Sequence, residues 1–214
     1  MKPFRRNKNP QSPRSQSPTK KNYAFIDSQN LNLGVQKMGW KMDWRKFRQY
    51  LKDVYGVEKA YMFIGYMPDN VKLYDQMHEA GYLIVLKPTL DMFQQDEKAE
   101  TTPQKDEDKK PEEKRATKGN VDAELVLYAV KEMPNYDKAV VVSGDGDFFC
   151  LVEYLDQNNK LLNLLAPNWQ YSSLLKPYDK YIVRLDQKRR ELSYKDFRKQ
   201  GNRKNSAKPA PERQ

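Results

Sequence analysis

Four aspartates stand at positions that a hydrophobic core would not favour. Asp145 and Asp147 follow an apolar run in VVVSGDGDFF. Asp27 ends the apolar run of AFID, and Asp122 opens a helical pattern in KGNVDAEL. Two carboxylates about 4 Å apart repel by about 4 kcal/mol at an effective dielectric constant of about 20. A divalent cation removes that cost, and ligand sets made only of oxygen favour Mg²⁺ or Mn²⁺. The predicted metal ligands, which are also predicted catalytic residues, are therefore Asp27, Asp122, Asp145 and Asp147.

Polar and aromatic residues near these acids complete the predicted site. Asn30 lies three residues after Asp27 and is predicted to be catalytic, because its amide can orient a ligand or a water. Lys118 can neutralise a phosphate. Trp169 and Tyr171 follow the fifth predicted strand in PNWQYSS, where their rings can stack on bases. The predicted substrate contacts are Lys118, Ser143, Trp169 and Tyr171.

Each acidic motif has an ordinary structural explanation when it is taken alone. Asp-Gly-Asp also forms turns in which an aspartate caps a helix, and Asp122 also suits the first turn of a helix. The combination is less ordinary, because acids follow two apolar strands and a third acid opens a helix. That combination favours a shared metal site.

The sequence lacks the residues of several other kinds of active site. After Gly144 and Gly146 the third glycine of a dinucleotide-binding fingerprint is missing, and no P-loop motif is present. An EF-hand loop is excluded because Phe149 and Cys150 occupy its ligand path. The single histidine, His78, lies within a predicted helix and far in sequence from any nucleophile elbow. Ser-His-Asp and histidine-based ribonuclease chemistry are therefore excluded.

Alternating strand and helix patterns position the predicted site. The predicted strands are 23–27, 59–66, 82–86, 138–143, 160–166 and 181–185; the predicted helices are 43–55, 69–80, 120–133 and 147–157, with a helical turn at 172–176. This alternation predicts an α/β fold, a three-layer α/β/α sandwich with a central, mainly parallel sheet. Ligands of such sheets bind at the carboxyl ends of the strands. Asp27 and Asp145 would meet there if the first and fourth strands are neighbours at a switch point.

Basic arms flank a mildly acidic centre. The first 22 residues hold seven Lys or Arg and no acid, and residues 187–214 hold ten against three acids, within a net charge of +10. Such arms favour polyanion binding, because Lys and Arg release counterions from a phosphate backbone. We predict a disordered basic tail at 1–22, a domain at 23–186 with a charged flexible insert at 91–117, and a basic C-terminal tail at 187–214.

Cysteine usage and hydropathy favour a soluble cytoplasmic protein. The lone Cys150 excludes a disulfide framework and a cysteine-based zinc site. No apolar segment follows the basic N-terminus, and the longest aliphatic run, 82–86, is too short to cross a bilayer. We expect a nucleic-acid partner and no membrane, and leave a homodimer open.

Three motifs in this order resemble the NYN domain family of PIN-like nucleases, in particular its LabA-like branch. They are FIDSQNL, KGNVDAELVLYA and VVVSGDGDFFCLVEYL, and the resemblance runs from about residue 23 to residue 185. It implies a PIN-like α/β/α sandwich and an acidic pocket that holds Mg²⁺ or Mn²⁺ for cleavage of RNA phosphodiesters. The charged insert departs from the family's pattern. The positions carried over by motif are Asp27, Asp122, Asp145 and Asp147, with Asn30 beside Asp27.

The function predicted from the motifs and the resemblance is a metal-dependent endoribonuclease acting on single-stranded or structured RNA. The alternative is a non-catalytic RNA-binding module that uses the same fold and its basic arms. A phosphatase or nucleotide hydrolase is disfavoured, because Asp27-Ser28-Gln29 lacks the second aspartate of a haloacid-dehalogenase-type pair. Whether one or two ions bind is left open.

Overall fold

The computed structural model describes residues 21–65, 71–87 and 121–195. The strands are β1 (Asn22–Asp27), β2 (Val57–Gly65), β3 (Tyr82–Lys87), β4 (Ala139–Val142), β5 (Leu161–Ala166) and β6 (Ile182–Arg184). The helices are α1 (Ser28–Lys37), α2 (Trp44–Tyr55), α3 (Val71–Glu79), α4 (Asp122–Lys131), α5 (Phe149–Gln157) and α6 (Arg189–Leu192). The predicted insert at 91–117, Lys118 and most of both predicted tails lie outside these residues.

The six strands form one sheet in the order β3-β2-β1-β4-β5-β6, and every neighbouring pair is parallel. The predicted α/β fold with a parallel sheet is therefore confirmed. The chain builds outward from β1 in one direction and then from β4 in the other, so the switch point lies between these two strands. Ile26 pairs with Val142, so both strands end together. Asp27, the last residue of β1, therefore lies level with Ser143, the first residue after β4, and the polar residues at both strand ends lie at one edge of the sheet.

Helices cover both faces of the sheet, as the three-layer prediction requires. Apolar residues of α1, α2, α3 and α6 share one buried cluster with inward residues of β1 and β4: Leu31, Val35, Phe47, Leu51, Met77 and Leu192. Residues of α4 and α5 share the other: Leu125, Ala129, Leu151, Val152 and Leu155. Because helices cover the sheet on both faces, the sequences of its strands are nearly continuous apolar runs. None of the helices in the described parts of the chain is long and apolar enough to span a membrane.

Helix α1 is not among the helices predicted from the sequence, none of which lies between residues 28 and 37. Ser, Asn and Gly supply four of the ten residues in its sequence, SQNLNLGVQK, and these residues weaken helix propensity. Contacts outside the helix compensate. Asp27 caps its N-terminus, the Ser28 hydroxyl donates to the Phe63 carbonyl at 2.7 Å, and Leu31 and Val35 are fully buried. Tertiary packing therefore decides this helix, which forms one wall of the site.

The predicted boundaries shift elsewhere by a few residues. The helix expected from residue 147 starts as a 3₁₀ turn over Gly146–Phe148 before α5 begins. The turn expected at 172–176 extends over Ser173–Tyr181. Asp43 caps α2 as expected, and its side chain accepts a hydrogen bond from the Lys46 N–H.

Candidate active site

Asp27 lies at the centre of the polar edge of the sheet. It ends β1, only 5% of its surface is exposed, and both carboxylate oxygens accept hydrogen bonds. The backbone N–H of Asn30 donates to Oδ1 at 3.0 Å, and the hydroxyl of Ser143 donates to Oδ2 at 3.2 Å. The first bond is also the cap of α1. The carboxylate is therefore held in one orientation by the residues that follow β1 and β4.

Asn30 and Ser143 brace the loop that carries Asp145. The side-chain oxygen of Asn30 accepts a hydrogen bond from the Gly144 N–H at 2.9 Å. The hydroxyl of Ser143 accepts one from the Asp145 N–H at 3.1 Å while it donates to Asp27. One amide and one hydroxyl thus join the two strand ends. Their placement at these atoms favours a positioning role for both side chains.

The surroundings of Asp27 shift the pKa of its carboxyl. Burial raises the pKa of the Asp27 carboxyl, and the negative charges of Asp122 and Asp145 raise it further. The hydrogen bonds from Asn30 and Ser143 lower this pKa, but the net shift is upward from the ordinary value of 3.8. Such a shift means that the surroundings of Asp27 disfavour the charged form of its carboxyl.

The structure brings three of the four predicted acids into electrostatic contact. Asp122 lies in the first turn of α4, on the opposite face of the sheet from α1, and its charge raises the pKa of Asp27. That turn is tied to β3 by an ion pair between Lys87 and Glu124, with 3.1 Å between nitrogen and oxygen. Asp147 differs, because it is exposed and its charge is not among those that shift the Asp27 pKa. Its N–H donates to Asp145 Oδ1 at 3.1 Å, which fixes the turn after β4.

The donor chemistry at this edge suits a hard divalent cation. Within residues 21–65, 71–87 and 121–195, no three acidic, histidine or cysteine side chains lie close enough to enclose one ion. The acids around Asp27 nevertheless offer only oxygen atoms, and their mutual repulsion is the cost that such an ion relieves. The residues present therefore fit a hard divalent cation better than a softer metal.

The predicted substrate contacts have different surroundings. Ser143 is fully buried, so it offers no surface to a substrate, and the predicted contact is replaced by its hydrogen bonds to Asp27 and Asp145. Trp169 is 57% exposed in the loop after β5. The Tyr171 hydroxyl donates to Asp179 at 3.0 Å, while Tyr171 also lines a cleft next to the acids. Lys118 lies outside the described residues.

This cleft of about 210 Å³ contains residues that sequence analysis did not single out. It lies between α1 and the segment after β5, and its lining residues are Asn30, Leu33, Gly34, Lys37, Gly144, Pro167, Asn168, Gln170 and Tyr171. Lys37 and Gly34 belong to the helix that the sequence did not reveal. The available signal was the pair Leu31 and Val35, which are four residues apart behind a capping aspartate.

Comparison with known proteins identifies a family, a related protein and a similar solved structure. The profile of the NYN domain family matches residues 22–186. The low amplitude and bright protein LabA of Synechococcus elongatus is 24% identical over 163 residues, which cover 74% of this chain and 80% of LabA. The crystal structure of a Vibrio parahaemolyticus protein of unknown function superposes with a TM-score of 0.59 at 21% identity. That match covers 84% of this chain and 99% of the other, and it supports the fold alone.

Proposed function

The chain belongs to the NYN domain family, and we propose that it is a metal-dependent endoribonuclease that hydrolyses RNA phosphodiester bonds beside Asp27. The observation that carries this proposal is the buried carboxylate of Asp27, at the carboxyl edge of a parallel sheet and within electrostatic reach of Asp122 and Asp145. Burying like charges together costs stability, so a site that keeps them favours a function that uses a cation.

Asp27, with Asp122 or Asp145, would hold Mg²⁺ or Mn²⁺, because such an ion keeps several of its waters and needs only one or two carboxylates. A bound divalent ion supplies an activated water and stabilises charge on the departing oxygen. Asn30 and Ser143 keep the Asp27 carboxylate oriented, and each of its oxygens retains a second lone pair for a ligand. Asp145 Oδ1 accepts a hydrogen bond from the Asp147 N–H. The other oxygen, Oδ2, is therefore the one better placed to bind the ion.

Asp147 takes a different role from the three inner acids in this proposal. It is exposed beside Asp145, and its carboxylate can accept a proton from a water at the mouth of the site. Trp169 and Tyr171 supply aromatic surface at the same edge, on which unpaired bases can stack. The preferred substrate is therefore RNA with unpaired nucleotides. The basic arms add sequence-independent attraction to its backbone.

The test is cleavage of end-labelled single-stranded RNA with Mn²⁺, with Mg²⁺ and with EDTA. Asp27→Asn and Asp145→Asn should each abolish metal-dependent cleavage. Asp75→Asn, which changes an exposed acid on α3, should cleave like the wild type and serves as the matched control. Cleavage that persists in EDTA, or in both inner-acid variants, would contradict the proposed site.

A non-catalytic RNA-binding module is the second candidate, and one observation favours it. No three ligating side chains among the described residues form a ready enclosure for an ion. In that case the basic arms carry the function. Intact RNA binding by a wild type that cleaves none of a varied set of RNAs, with loss of binding on removal of the arms, would select this candidate. Hydrolysis of phosphomonoesters but not of RNA would instead indicate a phosphatase.

A further inference from the structure

The cleft between α1 and the segment after β5 has two walls of different origin. One wall is a single stripe of α1, because Asn30, Leu33, Gly34 and Lys37 are spaced three or four residues apart. The other wall is the segment 167–171, and Gly144 lies where the two walls meet. The cleft is thus made from elements that follow β1, β4 and β5.

The two walls are fastened to each other. The Asn168 side chain, only 6% exposed, donates to the Gly34 carbonyl at 2.9 Å and accepts from the Gln170 N–H at 2.7 Å. A Cβ on Gly34 would lie 2.4 Å from the Pro167 Cβ, so the helix and the segment are in close contact. The cleft therefore has fixed dimensions and does not depend on a ligand to form it.

The cleft adjoins the acidic site, and the one charged residue among the described residues of its lining is a cation, Lys37. Asn30 lines the cleft and is hydrogen-bonded to Asp27, while Gly144 lines it next to Asp145. Lys37 is an exposed cation at the far end of the stripe, seven residues along the helix from Asn30. At about 1.5 Å per residue this separation is about 10 Å. A phosphate at Lys37 is consequently a different one from a phosphate held at the acids.

We propose that this cleft binds a nucleotide of the single-stranded RNA next to the scissile phosphate, with Lys37 on a flanking phosphate and Gln170 and Tyr171 beside the base and ribose. The volume of about 210 Å³ is below the roughly 300–1,000 Å³ of pockets that enclose a whole small-molecule ligand. It suits one nucleotide of a strand that continues into solvent. The inference rests on the proposed function for the position of the scissile bond.

Lys37 also has a plain structural explanation, because a cation in the last turn of a helix stabilises its dipole. Lys52 is the matched control, since it is likewise exposed and in the last turn of α2. Lys37→Gln and Lys52→Gln should lower thermal stability equally. If Lys37 contacts a phosphate, only Lys37→Gln should weaken binding of RNA.

The experiment measures binding of fluorescein-labelled single-stranded RNA to the full chain in EDTA at several salt concentrations. Lys37→Gln should raise Kd about threefold to tenfold and reduce the salt slope by about 1, and Lys37→Arg should restore both. Lys52→Gln should bind like the wild type. Cross-linking with RNA that contains 4-thiouridine should modify Tyr171 or its neighbours.

Parallel cleavage assays separate this inference from the proposed function. In one outcome, cleavage depends on Asp27, while Lys37→Gln does not change RNA binding and no cross-link forms in residues 167–171. This result overturns the cleft inference and supports the proposed nuclease activity. The opposite result is that RNA binding depends on Lys37 and the cross-link forms, but no RNA is cleaved. This result supports the cleft inference and overturns the proposed nuclease activity. A wild type that neither binds nor cleaves RNA overturns both.

Discussion

The side chain of Asn30 accepts a hydrogen bond from the backbone N–H of Gly144 at 2.9 Å, although 114 residues separate them in the chain. The backbone N–H of the same residue donates to the Asp27 carboxylate, which caps α1. One asparagine thus links the segment after β1 to the loop after β4. Together with Ser143, it connects the residues that carry Asp27 and Asp145.

Asn30→Ala should lower the free energy of unfolding, because it leaves the part-buried Gly144 N–H without its acceptor. The expected loss is about 1–3 kcal/mol, seen as a fall in Tm of about 2–4 °C for each kcal/mol. The measurement is thermal unfolding followed by circular dichroism. Asn32→Ala on the same helix removes only an exposed contact with Gln36 and should change Tm by less than about 1 °C. Equal losses in the two variants would show that the brace is unimportant.

Asp27→Asn should stabilise the metal-free protein at neutral pH. Burial, followed by the charges of Asp122 and Asp145, raises the pKa of Asp27 in the folded state. The folded state therefore binds this proton more tightly than the unfolded state, and stability falls as pH rises from 3.8 through the folded pKa. The uncharged amide introduced by Asp27→Asn avoids the cost of burying a charge. Its oxygen can still accept the hydrogen bond from the Asn30 N–H.

Chemical unfolding in EDTA across a pH series measures this effect. Asp27→Asn should have a higher free energy of unfolding and a higher Tm than the wild type at pH 7. The difference should disappear as pH falls towards 3.8. A variant that is less stable than the wild type at every pH would contradict the charge repulsion inferred at this site.

A divalent cation should reverse the order of stability of these two proteins. Mn²⁺ at about 100 times its Kd should stabilise the wild type by about 2.7 kcal/mol, because it binds only the folded state. Asp27→Asn should gain little, since it lacks the most buried carboxylate of the site. Differential scanning fluorimetry with Mn²⁺, with Mg²⁺ and with Ca²⁺ measures the shift without requiring cleavage. An equal shift in both proteins would place the ion elsewhere.

Gly34→Ala should destabilise the protein despite the better helix propensity of alanine. The propensity gain is about 1 kcal/mol, whereas the new Cβ would lie 2.4 Å from a carbon of the buried Pro167 ring. Overpacking of this kind costs about 1–3 kcal/mol, and the stiff proline ring cannot move aside alone. We expect a lower Tm and, if the cleft inference holds, weaker RNA binding.

The control for this substitution is Gly39→Ala. A Cβ at Gly39 meets no atom within 4 Å, and its cost arises only from the positive φ of 72°. This variant should lose stability but retain RNA binding. Loss of binding in both variants would indicate a general effect of lower stability and not a change in the cleft.

Local patterns in the sequence determine the elements and the chemistry of the strand ends. Apolar runs that end in Asp27 or lead into SGDGD specify buried strands with acids after them, because the alternation of apolar strands and amphipathic helices is encoded within short windows. Capping residues such as Asp43 bond to a backbone N–H three residues later, so they can be recognised from the sequence as readily as the strands. The α/β class and the acidic edge follow from these signals.

Only the tertiary structure decides which strand ends meet and what surrounds them. The adjacency of β1 and β4, the burial of Ser143 and the outer position of Asp147 depend on sheet order and on hydrogen bonds between distant residues. Helix α1 is weak by propensity and forms because Asp27, Phe63 and the core hold it. The cleft beside Lys37 exists because Asn168 and Pro167 pack on that helix, and no local pattern encodes such a contact.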